Sequence, residues 1–266
     1  MKEEKRFLIM GVLNVTPDSF SDGGLFLSTK KAVEQAHNFV EAGADYIDIG
    51  AESTRPGSSP VSQQEEWSRL SPVLKSLSNI TSHVKLSIDT TKPEIMLRCL
   101  DLGFSLINDV GGLRDETTLE KINFYNSEYI AMHCLFPSKV MQSHLLSVEK
   151  TLESVDSFFE SSYKTLRRCG FAHDKIWLDP GIGFGKSDTS NLNLLAKTAD
   201  YAKSYQVAIG TSRKSWLGRL LDIKEPVNRD IPSKMIELGI SFLGCRLIRT
   251  HDVAGLKRLR DCLDLK

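Results

Sequence analysis

The sequence predicts an α/β protein, a single (β/α)₈ barrel (TIM barrel) with its active site at the C-terminal ends of the strands. Short apolar runs alternate with longer segments of helical periodicity along all 266 residues, and a polar or glycine-rich cluster follows each run. Strict alternation of strand and helix predicts a parallel sheet, and eight repeats can close into a barrel. The eight predicted strands are Phe7–Val12, Tyr46–Ile49, Lys85–Ile88, Ser105–Asn108, Tyr129–His133, Ile176–Asp179, Val207–Gly210 and Cys245–Arg249.

The segments between these runs have the spacing of amphipathic helices. Lys30–Ala42 places its apolar residues on one face and is followed by Gly43, a typical residue just after a helix end. Glu65–Leu77 has the same periodicity, and Pro93 predicts the first turn of a further helix. No linker or low-complexity block interrupts the pattern, so we expect residues 1–266 to form one domain.

Alternation alone is also compatible with a doubly wound open sheet. The polar clusters favour the barrel, because the C-terminal ends of eight barrel strands meet at one mouth, whereas those of an open sheet do not all converge. The clusters contain Asn14, Glu52 to Arg55, Asp89, Asn108 with Asp109, His133, Asp179, Thr211 to Lys214, and Arg249 with His251.

Composition excludes several functional classes. Thirty-four basic residues balance thirty-four acidic ones, so no broad positive field is available for nucleic-acid binding. Five scattered cysteines without a C-x-x-C pair favour reduced thiols and a cytoplasmic location. The N-terminal apolar run of seven residues reads as a buried strand rather than a signal peptide, and no stretch approaches the roughly 18 apolar residues of a membrane span.

Asp89 and Asp179 each end an apolar strand and are candidates for ligand binding. The alternative for either aspartate is a cap on the next helix, which Thr90 to Pro93 make attractive for Asp89. Asp179 precedes the glycine-rich Pro180–Gly185, which is unlike a simple cap. Together with the Asn108 amide, two carboxylates suit a flat heterocycle that presents paired N–H donors beside a carbonyl.

Cationic residues follow the last two strands. Lys214 lies between a strand and a helix predicted to begin near Ser215, a place suited to an anion or a carbonyl, although a solvated basic turn is the alternative. Arg249 and His251 share one face of the last strand and adjoin Asn14 once the barrel closes. Arginine, histidine and an amide suit a diphosphate with Mg²⁺, although His251 taken alone could be structural.

The segment from Asn14 to Gly24 (NVTPDSFSDGG) is polar and contains proline and glycine. Its length predicts a mobile lid, and an ordinary surface loop is the alternative.

Eight motifs occur in order along the chain: NVTPDSFSDGG, GADYIDIGAESTRPGS, SIDT, INDVGG, MH, LDPGIGFGK, SRKS and RTHDV. This series resembles that of the dihydropteroate synthases, from about Met10 to Val253. The resemblance implies a pterin-binding barrel and a transferase of folate biosynthesis. The implied reaction condenses 6-hydroxymethyl-7,8-dihydropterin diphosphate with p-aminobenzoate, gives 7,8-dihydropteroate and pyrophosphate, and needs no covalent enzyme nucleophile. It also implies Mg²⁺ as cofactor, a homodimer, and membership of a family that sulfonamides target.

Matching motif positions carry the implied roles. The resemblance assigns the pterin to Asp89, Asn108, Met132, Asp179 and Lys214. It assigns the diphosphate to Asn14, Arg249 and His251, with Asn14 as the protein ligand of the metal. The p-aminobenzoate would be surrounded by Phe20, Thr54, Arg55, Pro56, Phe184 and Ser215, and the residues with catalytic roles would be Lys214, Arg249, His251 and Arg55.

Two positions depart from the family pattern. A glycine usually follows the fifth strand as H-x-x-G, whereas this chain has Cys134 to Lys139, and Thr250 stands where valine is common. Two rival functions share the barrel: a methyltetrahydrofolate-binding methyltransferase domain and a catalytically silent pterin-binding paralogue. The methyltransferase has no need of a diphosphate site, so Arg249, His251 and the STRPG segment favour the synthase.

Overall fold

A computed structural model describes residues 6–16, 24–53, 60–77, 84–135 and 145–264, without the side chains of residues 24–28 and 264. Its strands form one closed parallel barrel in sequence order, β1 to β8, with β8 paired to β1. The closed ring confirms the predicted barrel over the open sheet. The strands are β1 (Leu8–Asn14), β2 (Tyr46–Gly50), β3 (Lys85–Asp89), β4 (Leu106–Asp109), β5 (Glu128–Met132), β6 (Ile176–Asp179), β7 (Gln206–Gly210) and β8 (Leu247–Thr250).

Helices follow the strands around the outside of the barrel. They are α1 (Gly24–Glu41), α2 (Gln63–Ser76), α3 (Pro93–Asp101), α4 (Glu116–Phe124), α5 (Val148–Arg168), α6 (Asp188–Ala196), α7 (Thr198–Tyr201), α8 (Ser215–Leu221), α9 (Asp230–Phe242) and α10 (Val253–Asp264), with short 3₁₀ helices at His173–Lys175 and Pro226–Arg229. No helix in the described part of the chain is long and apolar enough to cross a membrane.

Local chemistry explains where several helices begin and end. Serine or aspartate side chains accept a hydrogen bond from the first turn of α2, α4, α5 and α6, at Ser62, Asp115, Ser147 and Ser187. Pro93 opens α3 as predicted. Gly43 follows α1 with a φ of +83°, which a residue with a side chain rarely adopts. The predicted strand bounds are confirmed to within two residues, but α1 begins at Gly24, six residues before the predicted start.

Two apolar layers enclose the sheet. Residues that point outward from the strands pack beneath the helices, as do Ile9, Ile47 and Ile107. Residues that point inward fill the lower barrel with a second cluster, made of Met10, Tyr46, Leu106, Ile130, Trp177, Ala208 and Leu247. Since side chains alternate along a strand, the residues two positions further along also face the interior, and Asp48, Asn108, Asp179 and Arg249 among them carry polar groups described next.

Candidate active site

The mouth of the barrel is a polar cup above the inner apolar layer. Parallel register places Asp89 beside Asn108, and Met132 beside Asp179. Glycines occupy two of the inward positions, Gly50 beside Asp89 and Gly210 beside Arg249. A Cβ at Gly50 would lie 3.2 Å from the Asp89 Cβ, and one at Gly210 would lie 3.4 Å from the Arg249 Cβ. The two glycines therefore leave space that any side chain would fill.

Asp48 is the polar centre of the cup floor and was not predicted from the sequence. It is fully buried on β2. Its Oδ1 accepts a bond from Ser87 Oγ at 2.6 Å, and its Oδ2 accepts from Asn108 Nδ2 at 2.9 Å and from Arg249 Nε at 2.6 Å. One carboxylate therefore orients two of the predicted ligand-binding side chains. The available sequence signal was an aspartate at an inward-facing position of an otherwise apolar strand.

Asp89 lies at the end of β3 and pairs with the same arginine. Arg249 Nη2 donates to Asp89 Oδ2 at 2.8 Å. Burial raises the pKa of Asp89 to about 7, and the charge of Asp48 adds to the rise while Arg249 opposes it. The helix-cap alternative does not hold, because the cap position of α3 is Lys92 and no side chain bonds there. Asp89 is thus a carboxyl group that titrates near neutrality inside the cup.

Asp179 ends β6 and organises the glycine-rich turn after it. Its Oδ1 accepts a bond from the Gly181 N–H at 2.7 Å. Gly181 has a φ of +65°, and a Cβ there would lie 1.9 Å from the carbonyl oxygen of His133, so only glycine fits. Burial raises the pKa of Asp179, while Lys214, the Gly181 N–H, Lys186 and Arg249 oppose the rise. The cap of α6 is Ser187, so Asp179 does not cap that helix.

Lys214 reaches back from the start of α8 to the loop after β6. Its Nζ donates to the carbonyl oxygen of Ile182 at 2.6 Å and lies 4.7 Å from the centre of the Phe184 ring. Burial lowers the pKa of Lys214 to about 8, while Asp179 opposes the fall. These contacts rule out the solvated basic turn. Phe184 is half-buried, and Ser215, the first residue of α8, is exposed.

Two residues predicted to bind the diphosphate, Asn14 and His251, lie at the rim of the barrel mouth. Asn14 is half-buried at the end of β1. His251 follows β8, and its main-chain N–H donates to Ser212 Oγ at 3.1 Å, with the ring Nδ1 3.0 Å from the same oxygen. Arg249, predicted to bind the diphosphate with them, lies deeper in the cup, where it bonds to Asp48 and Asp89.

Several predicted residues lie outside the part of the chain that the structure describes. They are Phe20, Thr54, Arg55 and Pro56, together with most of the unusual loop after β5, from Phe136 onward. Met132 is described, and it is buried at the inward-facing end of β5.

Comparison with known proteins matches the sequence to a family. The family model described as "Pterin binding enzyme" matches residues 10–251. The dihydropteroate synthase of Escherichia coli strain K12 is 37% identical over 246 residues, which cover 92% of this chain and 86% of that protein. The chain belongs to the dihydropteroate synthase family of pterin-binding enzymes. It is accordingly a transferase of folate biosynthesis.

Solved structures of the family have the same fold. The Xanthomonas albilineans dihydropteroate synthase with 4-aminobenzoic acid has a TM-score of 0.88 and 34% identity, and the match covers 97% of this chain and 92% of that one. The same enzyme in complex with 7,8-dihydropteroate has a TM-score of 0.85 and 32% identity, with 98% and 95% covered. The resemblance stated from the motifs is confirmed, as is the barrel.

Proposed function

We propose that this protein condenses 6-hydroxymethyl-7,8-dihydropterin diphosphate with p-aminobenzoate in the cup at the barrel mouth. The observation that carries the proposal is the convergence of Asp89, Asn108, Asp179 and Lys214 around a floor that Asp48 organises. The carboxylates accept N–H bonds from the pterin and Lys214 donates to its carbonyl group, which matches the donor and acceptor pattern of that ring. Met132 forms an apolar wall against the ring.

Bond cleavage releases the diphosphate before the amine attacks. The C–O bond from the pterin methylene group breaks, and its electron pair leaves with the diphosphate. The cation that remains is stabilised by Asp89 and Asp179, whose negative charges lie in a site largely shielded from water. The amine nitrogen of p-aminobenzoate then forms the C–N bond and loses a proton.

Arg249 and His251 stabilise the negative charge that develops on the departing diphosphate. The guanidinium uses Nε and one N–H of Nη2 for Asp48 and Asp89, which leaves the Nη1 N–H groups for the diphosphate. Ser212 Oγ lies 3.0 Å from the Nδ1 of His251 and holds this ring at the rim.

The described residues fit a magnesium ion that is held mainly by its substrate. Among them no group of three or more histidine, cysteine, aspartate or glutamate side chains could hold a metal. Mg²⁺ commonly keeps several waters and binds substrate phosphates with one or two protein oxygens, so the Asn14 amide oxygen at the rim is sufficient as the protein ligand. When bound, the ion neutralises charge on the diphosphate.

The p-aminobenzoate subsite is proposed to adjoin Phe184 and Ser215, with Phe20, Thr54, Arg55 and Pro56 completing it. Arg55→Ala is expected to raise the KM for p-aminobenzoate and leave pterin binding intact, because the guanidinium would meet the carboxylate of that substrate alone. Steady-state kinetics with each substrate varied in turn measures both effects. Unchanged constants for p-aminobenzoate would remove Arg55 from this subsite. Sulfonamides carry the same aromatic amine and are expected to compete for it.

The direct test supplies purified protein with Mg²⁺, the pterin diphosphate and p-aminobenzoate. We expect release of pyrophosphate and formation of 7,8-dihydropteroate, and chromatography measures both products. A folded protein that binds pterin but forms no product would be the silent paralogue, and the proposal would be wrong.

We also propose a homodimer and a cytoplasmic location. The outer face of α9 exposes Ile231, Met235 and Phe242, and an apolar stripe of this kind supports association of two copies. Sedimentation should give the dimer mass for the native chain and the monomer mass for Met235→Glu; a monomeric native chain would contradict the dimer. Cys99, Cys169, Cys245 and Cys262 are free thiols, which supports a reducing compartment.

A further inference from the structure

Lys186 is a buried cation that the reaction described above does not use. It ends the motif LDPGIGFGK, and only 3% of its surface is exposed. Its Nζ donates to the carbonyl oxygens of Gly181 at 2.9 Å, Phe184 at 3.1 Å and His133 at 3.2 Å. An ammonium group has three protons, so three main-chain acceptors satisfy it completely. None of these three acceptors carries a charge.

These three bonds join two segments at the barrel mouth. Gly181 and Phe184 belong to the loop after β6, whereas His133 directly follows β5. Gly181 takes part on both sides, because its N–H donates to Asp179 and its carbonyl oxygen accepts from Lys186. The position of the Asp179 carboxylate is therefore fixed through a turn that Lys186 holds against β5.

Lys186 also acts on Asp179 by its charge. The positive charge of Lys186 helps to lower the pKa of Asp179, which burial raises, and Lys214 and Arg249 act in the same direction. Burial lowers the pKa of Lys186 itself to about 7, with Cys134 and Asp179 opposing the fall and Lys214 adding to it. The His133 ring adjoins this group and is held neutral, since burial and Lys186 lower its pKa to about 3. The charge of Lys186 is thus present mainly below neutral pH.

We propose that Lys186 is a positioning residue of the pterin subsite, which holds the turn after β6 against β5 and so sets the position and the electrostatic environment of the Asp179 carboxylate. The proposal rests on the assignment of Asp179 to pterin binding made above. A purely structural lysine would contribute to stability and have no effect on the pH dependence of pterin binding.

The test is the pH dependence of pterin binding in Lys186→Met, which has a similar length and no charge. We measure the Kd for 6-hydroxymethylpterin by calorimetry between pH 5 and pH 9. Removal of a nearby positive charge raises the pKa of a carboxyl group, by about one unit for a partner at short range. We therefore expect the acid limb of binding, the fall in affinity at low pH, to move to higher pH, with binding weakened by up to about tenfold at the acid end of the range and near-native at pH 9.

Two further variants control the measurement. Lys203→Met removes an exposed lysine that pairs with Asp200, and it should reproduce the native profile. Lys186→Gln keeps two donors but no charge, so it should move the acid limb even where Lys186→Met is too unstable to study.

The outcomes separate this inference from the proposed function. If the native protein does not bind pterin, or Asp179→Ala binds it equally well, the function assigned to the cup is wrong. If the native protein binds pterin and Asp179→Ala weakens that binding, but the Lys186 variants keep the native acid limb, the positioning role is overturned. Failure of both Lys186 variants to fold at any pH would also overturn it, in favour of a role in stability alone.

Discussion

Replacement of Asp48 tests whether one buried carboxylate organises the floor of the cup. Asp48→Ala removes the fully buried acceptor of three bonds and leaves the half-buried guanidinium of Arg249 with Asp89 alone. Loss of one partner from a buried ion pair costs about 3–5 kcal/mol. Because Asp89 still compensates Arg249, we expect the lower end, about 3 kcal/mol. A chain of this size loses roughly 2–4 °C in Tm for each kcal/mol, so the Tm should fall by about 6–12 °C.

Asp48→Asn provides the matched control. The new amide can turn so that its Oδ1 accepts from Asn108 and Arg249 while its Nδ2 donates to the Ser87 hydroxyl. All three bonds then persist, and only the negative charge is lost. A hydrogen bond between charged groups is worth about 1 kcal/mol more than one with a neutral partner, and we expect a fall in Tm of about 2–4 °C.

Pterin binding gives an independent measurement on the same variants. The charge of Asp48 contributes to the raised pKa of Asp89, so Asp48→Asn should lower that pKa and move the acid limb of pterin binding to lower pH. Thermal unfolding followed by circular dichroism and calorimetry with 6-hydroxymethylpterin measure the two effects. Equal Tm values for the Ala and Asn variants, or an acid limb that moves upward in the Asn variant, would refute this account of Asp48.

Three other predictions concern titratable groups. Asp179→Ala should weaken pterin binding about 10- to 150-fold, because a charge-assisted bond worth about 1.5–3 kcal/mol is lost; calorimetry that shows less than a twofold change would exclude the contact. Native pterin affinity should be highest between about pH 7 and 8, where Asp89 is ionised and Lys214 is protonated, and a pH-independent Kd from 5 to 9 would contradict this. Burial raises the pKa of Glu237 to about 8. The stability that the protonated carboxyl group contributes is complete below about pH 4.5 and is lost as the pH rises through 8. Glu237→Gln should therefore have the higher Tm at pH 9, and parallel curves of Tm against pH would show that Glu237 does not titrate there.

The sequence determined the architecture and the identity of most residues at the mouth. Apolar runs of strand length that alternate with amphipathic helices require an apolar layer on each face of the sheet. The polar residues at the strand ends can all meet at one mouth only if the sheet closes into a barrel. Asp89, Asn108, Asp179 and Arg249 could be found in this way, since each interrupts an apolar run where a parallel strand ends. Motif order added the family and the reaction.

Tertiary structure decided which of these side chains contact one another. Arg249 is far from Asp48 and Asp89 in sequence and meets both only because β8 closes against β1. Asp48 lies within one of the quoted motifs, but an aspartate in a strand is recognised as the centre of a hydrogen-bond network only when the side chains that face it are known. Lys186 was part of a quoted motif, but its main-chain partners come from two different loops. Periodicity indicates which face of a strand or helix a residue occupies. Side-chain pairing across the barrel and the degree of burial depend on strand register instead. Pairing and burial set the ionisation of the carboxylates and lysines at the mouth.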